Sequence, residues 1–189
     1  MAINMDETDE DLVIKIQQGD SESFGVLVER YEVKLKRYAK KFLFDDEDVE
    51  DLVQIVFLKA YSNIQSFNVK MKFSPWIYRI AHNEFINKLK KRNSESLYFF
   101  DMDTIFPSLS FSETEKDEID EVELKKNIEQ WLDKLDAKYR EPIVLYFFEE
   151  LSYKDISEIL KIPISTVGVR INRGKQIIRK FYEDSNLNK

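Results

Sequence analysis

The chain reads as an all-α protein built of two small helical domains, and three observations predict this. Its 189 residues include only four Gly and four Pro, too little turn chemistry for a sheet protein. Apolar residues recur at intervals of three and four rather than two. Residues 93–123 break that period with interleaved Ser, Asp and Glu, which separates a domain over 1–92 from one over 124–189 and leaves 93–123 as a linker. The length suits two modest cores.

The elements follow in order. Thr8 ahead of Leu12, Val13 and Ile16 predicts a short helix over 8–17 that stops at Gly19-Asp20. Residues 21–44 form a longer helix with Phe24, Leu27, Val28, Tyr31, Leu35 and Tyr38 on its apolar side. The acids of 45–48 open a third helix, where the dipole favours negative charge, and it runs to about residue 61. A loop over 63–72 leads to a fourth helix, capped by Ser74 with Pro75 in its first turn. There Ile77, Ile80, Ala81, Phe85 and Leu89 gather on one side, and Arg79, Asn83, Asn87 and Lys90 on another.

The linker carries Tyr98, Phe99, Phe100, Met102, Ile105, Phe106, Leu109 and Phe111, more apolar surface than a solvated spacer holds. These residues either pack within the molecule or dock on a partner. Four further helical segments cover 124–135, 137–149, 152–160 and 165–182. The last two form a candidate helix-turn-helix. Ser152 caps the first of them with Asp155 three residues on, and Pro163 with Ser165 marks the restart. Ser157, Lys161 and Val167 sit at spacings that let two helices cross closely, although the turn at Lys161 ordinarily favours Gly.

Charge is distributed unevenly. The net charge is -7, yet 93–123 hold ten acidic groups and one Lys, while 1–92 sum to -1 and 124–189 to +3. Screening beyond about 8 Å at physiological salt lets local basic stripes hold phosphates on an anionic molecule. Tight DNA binding by the chain alone is not expected. Absence of Cys excludes disulfides and thiolate metal sites. The acidic N-terminus and the lack of a long apolar run point to a cytoplasmic protein.

Two constellations carry function. In the fourth helix, amides alternate with cations over Arg79, Asn83, Asn87 and Lys90, so amides can bond base edges while cations hold backbone. Trp76 and Tyr78 add aromatic surface for an unstacked base, the alternative for Trp76 being a place in the core. In the last helix, Val167, Ile171, Gly174 and Ile178 face inward, whereas Thr166, Val169, Arg173 and Lys180 face outward with Arg170 and Gln176 flanking. Five basic groups, Arg170, Arg173, Lys175, Arg179 and Lys180, precede any acid there, a pattern suited to the major groove. The alternative is an ordinary solvated face. An enzyme reading lacks residues: His82 has no nucleophile pattern around it, the carboxylates of 45–51 lack calcium-loop spacing, and the four Gly are scattered.

Three blocks resemble the extracytoplasmic-function (ECF, group IV) sigma factors of the sigma-70 family: DVEDLVQIVFLKAY over Asp48 to Tyr61, FSPWIYRIAHN over Phe73 to Asn83, and the helix-turn-helix with its approach YREPI over Tyr139 to Ile143. The resemblance implies a sigma-2-like domain over 1–92 and a sigma-4-like domain over 124–189. It implies core RNA polymerase and promoter DNA as partners, with an anti-sigma factor as a third, and no cofactor. The polymerase would be held by Asp48, Asp51, Leu52, Gln54, Ile55, Phe57 and Leu58, although family members usually carry an acid at the position of Ile55. The minus-10 element would be met by Trp76, Arg79, His82, Asn83, Asn87, Lys88, Lys90, Lys91 and Arg92, and the minus-35 element by Ser165, Thr166, Val169, Arg170, Arg173 and Lys175. Similar proteins commonly have Lys-Ser where this chain has Gly168-Val169. Two other readings stay open: a helix-turn-helix regulator that binds its own operator without polymerase, and an adaptor that binds protein only.

Overall fold

The computed structural model describes residues 7–40, 46–92, 131–132 and 134–187, with backbone alone over 89–92 and 185–187. The chain divides into two compact units, Met1–Glu95 and Ser96–Lys189. All regular structure among the described residues is helical. The linker aromatics, Phe44 and most of the segment 124–135 lie outside the described residues.

The first unit contains α1 (Asp9–Gln17), α2 (Ser23–Lys40), α3 (Asp46–Asn63), a 3-10 turn (Ile64–Ser66) and α4 (Phe73–Arg92). α1 starts as its sequence dictates: the Thr8 side chain accepts the Asp11 N–H at 3.1 Å and the Asp11 carboxylate reaches back to the Thr8 N–H at 3.3 Å. α2 packs on α1 and α3, and α3 on α4. Leu27, Leu35, Val56, Ala60, Ile77, Tyr78 and Ala81 are wholly buried between them. Aromatic edges knit this core, with Tyr38 at 5.5 Å from Tyr78 and 5.0 Å from Phe85 between ring centroids.

α4 begins two residues earlier than its sequence suggests, and its cap comes from elsewhere in the chain. The Phe73 N–H donates to the Glu10 carboxylate at 2.7 Å. Ser74 therefore lies inside the first turn. The Tyr31 hydroxyl donates to Asp9 at 2.5 Å, and Arg30 binds the same carboxylate at 2.7 Å. Burial, reinforced by the Asp9 hydrogen bond, pushes the Tyr31 phenol well above its ordinary range. A carboxylate at a helix start also complements the dipole, so Glu10 serves α4 as a local acid would.

The second unit holds α5 (Ala137–Phe147), α6 (Tyr153–Leu160) and α7 (Ile164–Leu187). Ser152 and Asp155 make the expected reciprocal cap of α6. Lys161 takes the left-handed conformation, φ 56° and ψ 42°, that the sequence marked as better suited to Gly. Its N–H reaches the Ser157 carbonyl, and the Ser157 hydroxyl donates to the Ile162 carbonyl at 2.6 Å, which closes the turn. α7 packs on both α5 and α6. Gly174 lies against α5 so closely that a Cβ there would meet Ile143 Cδ1 at 2.3 Å.

Candidate nucleic-acid interface

On α4, Arg79 and Asn87 are exposed and Asn83 is half-buried, so the spacing of four places these polar groups along one accessible ridge. Trp76 is half-buried beside this ridge, with its ring 5.0 Å from Phe67 and 5.5 Å from Phe73. His82 is half-buried as well. α4 continues through Lys90, Lys91 and Arg92, whose side chains lie outside the described residues.

Two residues of that helix differ from expectation. Tyr78 is wholly buried among Tyr31 and Tyr38, so its ring offers no surface to a base. Lys88 points toward α3, where its ammonium pairs with Asp48 at 2.6 Å. At about 100° per residue, nine positions from Arg79 bring a side chain to the opposite side of the helix, which is why Lys88 leaves the ridge. The same pair engages Asp48, one of the acids assigned to the polymerase.

On α3, Asp51, Gln54, Ile55 and Leu58 are exposed, the last two at 40% and 67%. Leu52 and Phe57 fall on the other side, 4% and 9% exposed, and belong to the core. Exposure of two aliphatic side chains next to Asp51 and Gln54 makes this a mixed ridge suited to protein contact rather than to phosphate.

α7 departs most from the sequence reading. Ser165 and Val169 are exposed and Arg173 and Lys175 half-buried, but Thr166 and Arg170 are 5% and 8% exposed. They sit one residue from the buried Val167 and Ile171, on the flank that turns into the unit. Asn172 and Gln176, one and two turns beyond Val169, are exposed on the same side as Ser165. Asn172 carries no charge to mark it in the sequence, but steps of four and three residues from Ser165 through Val169 lead to it.

Glu10 was missed for a different reason. Its role at Phe73 spans 63 residues of sequence, and no local pattern announces it. Among the described residues, no group of His, Cys, Asp and Glu is placed to hold a metal ion. Nor is any described helix long and apolar enough to cross a membrane.

Comparison with known proteins is consistent with this geometry. Residues 27–95 match sigma-70 region 2, and residues 125–178 match sigma-70 region 4. The ECF RNA polymerase sigma factor SigW of Bacillus subtilis is 35% identical over 178 residues, covering 90% of this chain and 94% of that one. The ECF RNA polymerase sigma-E factor of Haemophilus influenzae is 33% identical over 177 residues, covering 90% and 93%. Among solved structures, CnrH in complex with the cytosolic domain of CnrY superposes with a TM-score of 0.66 at 25% identity, over 94% of this chain and 99% of that one. The sigma factor RpoE of Bartonella quintana, bound to the anti-sigma factor NepR, shares the fold at a TM-score of 0.63 and 23% identity, over 86% and 98%. Two helical units matching regions 2 and 4, carried on a chain aligned almost end to end with these relatives, identify it as a member of the sigma-70 family, an ECF-type RNA polymerase sigma factor.

Proposed function

We propose a division of labour in which core RNA polymerase, in the cytoplasm, supplies catalysis and this chain supplies promoter address and melting without making or breaking a bond itself. The exposed ridge Asp51, Gln54, Ile55 and Leu58 holds the polymerase. Arg79, Asn83 and Asn87, with Lys90 to Arg92 beyond them, meet the minus-10 element, where the amides bond base edges and Trp76 borders an unstacked base. Ser165, Val169, Arg173 and Lys175 meet the minus-35 duplex. An anti-sigma protein is a further partner in this reading; the sigma factor RpoE of Bartonella quintana, which shares the fold, was solved with the anti-sigma factor NepR.

The observation that carries this reading is the pair of accessible amide-and-cation ridges, one in each region-matched unit. Its test is transcription by purified core polymerase from a pool of random promoters, with and without this chain, followed by transcript sequencing. Two enriched motifs at a fixed separation are expected only when the chain is present. Avid operator binding by the chain alone, unchanged by polymerase, defeats the proposal in favour of a stand-alone regulator. On the enriched promoter, Asn87→Ala is expected to lose about 1–3 kcal/mol of discrimination at one minus-10 position, measured by competition between matched and mismatched promoters.

A further inference from the structure

The exposed side of α7 has an ordered composition. Taking Ser165 as origin and about 100° per residue, Val169, Asn172 and Gln176 fall within about 40° of it, while Arg173 and Lys175 fall about 80° away on opposite sides. Ser165, Val169, Asn172 and Gln176 are all exposed and the two cations half-buried. The centre of the ridge is thus aliphatic and amide, and its two rims are cationic. A helix lying in a major groove meets phosphates at both rims and bases at its centre, near its N-terminal end.

We propose that Val169 and Asn172 are the specificity-determining residues of α7: Val169 packs on the C5-methyl of a thymine, and Asn172 makes paired hydrogen bonds to N6 and N7 of an adenine on a neighbouring base pair of the minus-35 duplex. This rests on the sigma reading and names what that site takes. Valine has no hydrogen-bonding group, so against a G·C pair it would desolvate polar edges without replacing their partners. Thymine alone offers a methyl in the major groove, and adenine N6 and N7 match a carboxamide. The two side chains are three residues apart, about 4.5 Å along the helix, close to the roughly 3.4 Å rise of one base pair. Ser165 both donates and accepts and therefore discriminates weakly. Thr166 and Arg170 are buried and cannot compete for this role.

The test uses holoenzyme assembled from core polymerase and the full chain, with a promoter pool randomised at the minus-35 duplex. Wild type is expected to enrich a thymine and an adenine on neighbouring pairs. Val169→Ser should lose the thymine preference alone, and Asn172→Ala the adenine preference alone. Deoxyuridine in place of that thymidine removes only the methyl and should weaken wild-type binding about fourfold, from the usual contribution of one buried carbon, and the Val169→Ser holoenzyme by less than about twofold. Enrichment of G or C at both positions, an unchanged motif in both variants, or equal sensitivity to deoxyuridine overturns the assignment while leaving the sigma reading intact. Failure of the pool to yield any promoter with wild-type holoenzyme overturns both.

Discussion

The two ridges proposed to meet DNA are carried by helices held in place by opposite means. α4 is fixed at its start by groups from distant parts of the first unit: Glu10 on the Phe73 N–H, and Tyr31, which bonds Asp9 and packs its ring on Phe73. α7 is fixed by close approach in the second unit, with Gly174 pressed against Ile143 and with Lys161 bent into a left-handed turn just before it. The first arrangement depends on protonation and hydrogen bonding, the second on volume and backbone conformation. The units should therefore fail under different challenges, and each carries one tryptophan, Trp76 or Trp131, to report its own unfolding.

The largest effect is expected from Gly174→Val. Its added carbons have no room beside the wholly buried Ile143, and overpacking of this kind costs about 3 kcal/mol. Urea unfolding followed through Trp131 in a Trp76→Phe background should show the loss, while Trp76 fluorescence in a Trp131→Phe background should report an unchanged first unit. A smaller loss, about 2 kcal/mol and confined to the first unit, is expected from Glu10→Ala, which leaves the Phe73 N–H without its charged acceptor; Glu10→Gln, which keeps an acceptor, should recover part of it. Equal destabilisation of both units by either change would abolish the distinction drawn here.

Alkaline pH sharpens the same contrast. Tyr31 has its phenol pKa raised in the folded state, so its contribution is fully present below pH 10, the ordinary tyrosine value, and is lost as pH rises above it, where the unfolded chain gives up the proton first. The first unit should weaken above pH 10 by up to about 1.4 kcal/mol per pH unit. Tyr31→Phe should flatten that slope, as read by urea midpoints from pH 9 to 11. At the small end, Lys161→Gly should stabilise the second unit by about 1 kcal/mol, because glycine takes the left-handed conformation without a Cβ penalty. A loss of stability there would show that the Lys161 aliphatic chain contributes more than its backbone costs.

Most of the helical layout was legible because it rests on local rules. The Thr8 and Ser152 caps each place an acid three residues on, and the structure uses both. Ser74 misled because the same local rule had a remote competitor in Glu10, which no periodicity reveals. On α7 the inward residues Val167, Ile171, Gly174 and Ile178 are readable from their spacing, whereas Thr166, expected to face outward, and Arg170, expected on the flank, are both buried. Their neighbours in the helix turn them inward, and long side chains such as Arg can bury their stems whatever their charge. Leu52 and Phe57 on α3, and Lys88 on α4, show the limit of contacts implied by resemblance: angular position places the first two in the core and the third against Asp48.

The closeness of Gly174 to Ile143 has a consequence for altering this fold. The atom nearest a prospective Cβ is Ile143 Cδ1, the one carbon that distinguishes isoleucine from valine, while Ile143 Cγ1 stands at an ordinary 3.4 Å. Pairing Gly174→Ala with Ile143→Val would move a methyl from one helix to the other at nearly constant volume, and alanine would add helix propensity where glycine lacks it. Positions 143 and 174 thus behave as a single interchangeable unit of space, so tolerance at either one is set by its counterpart.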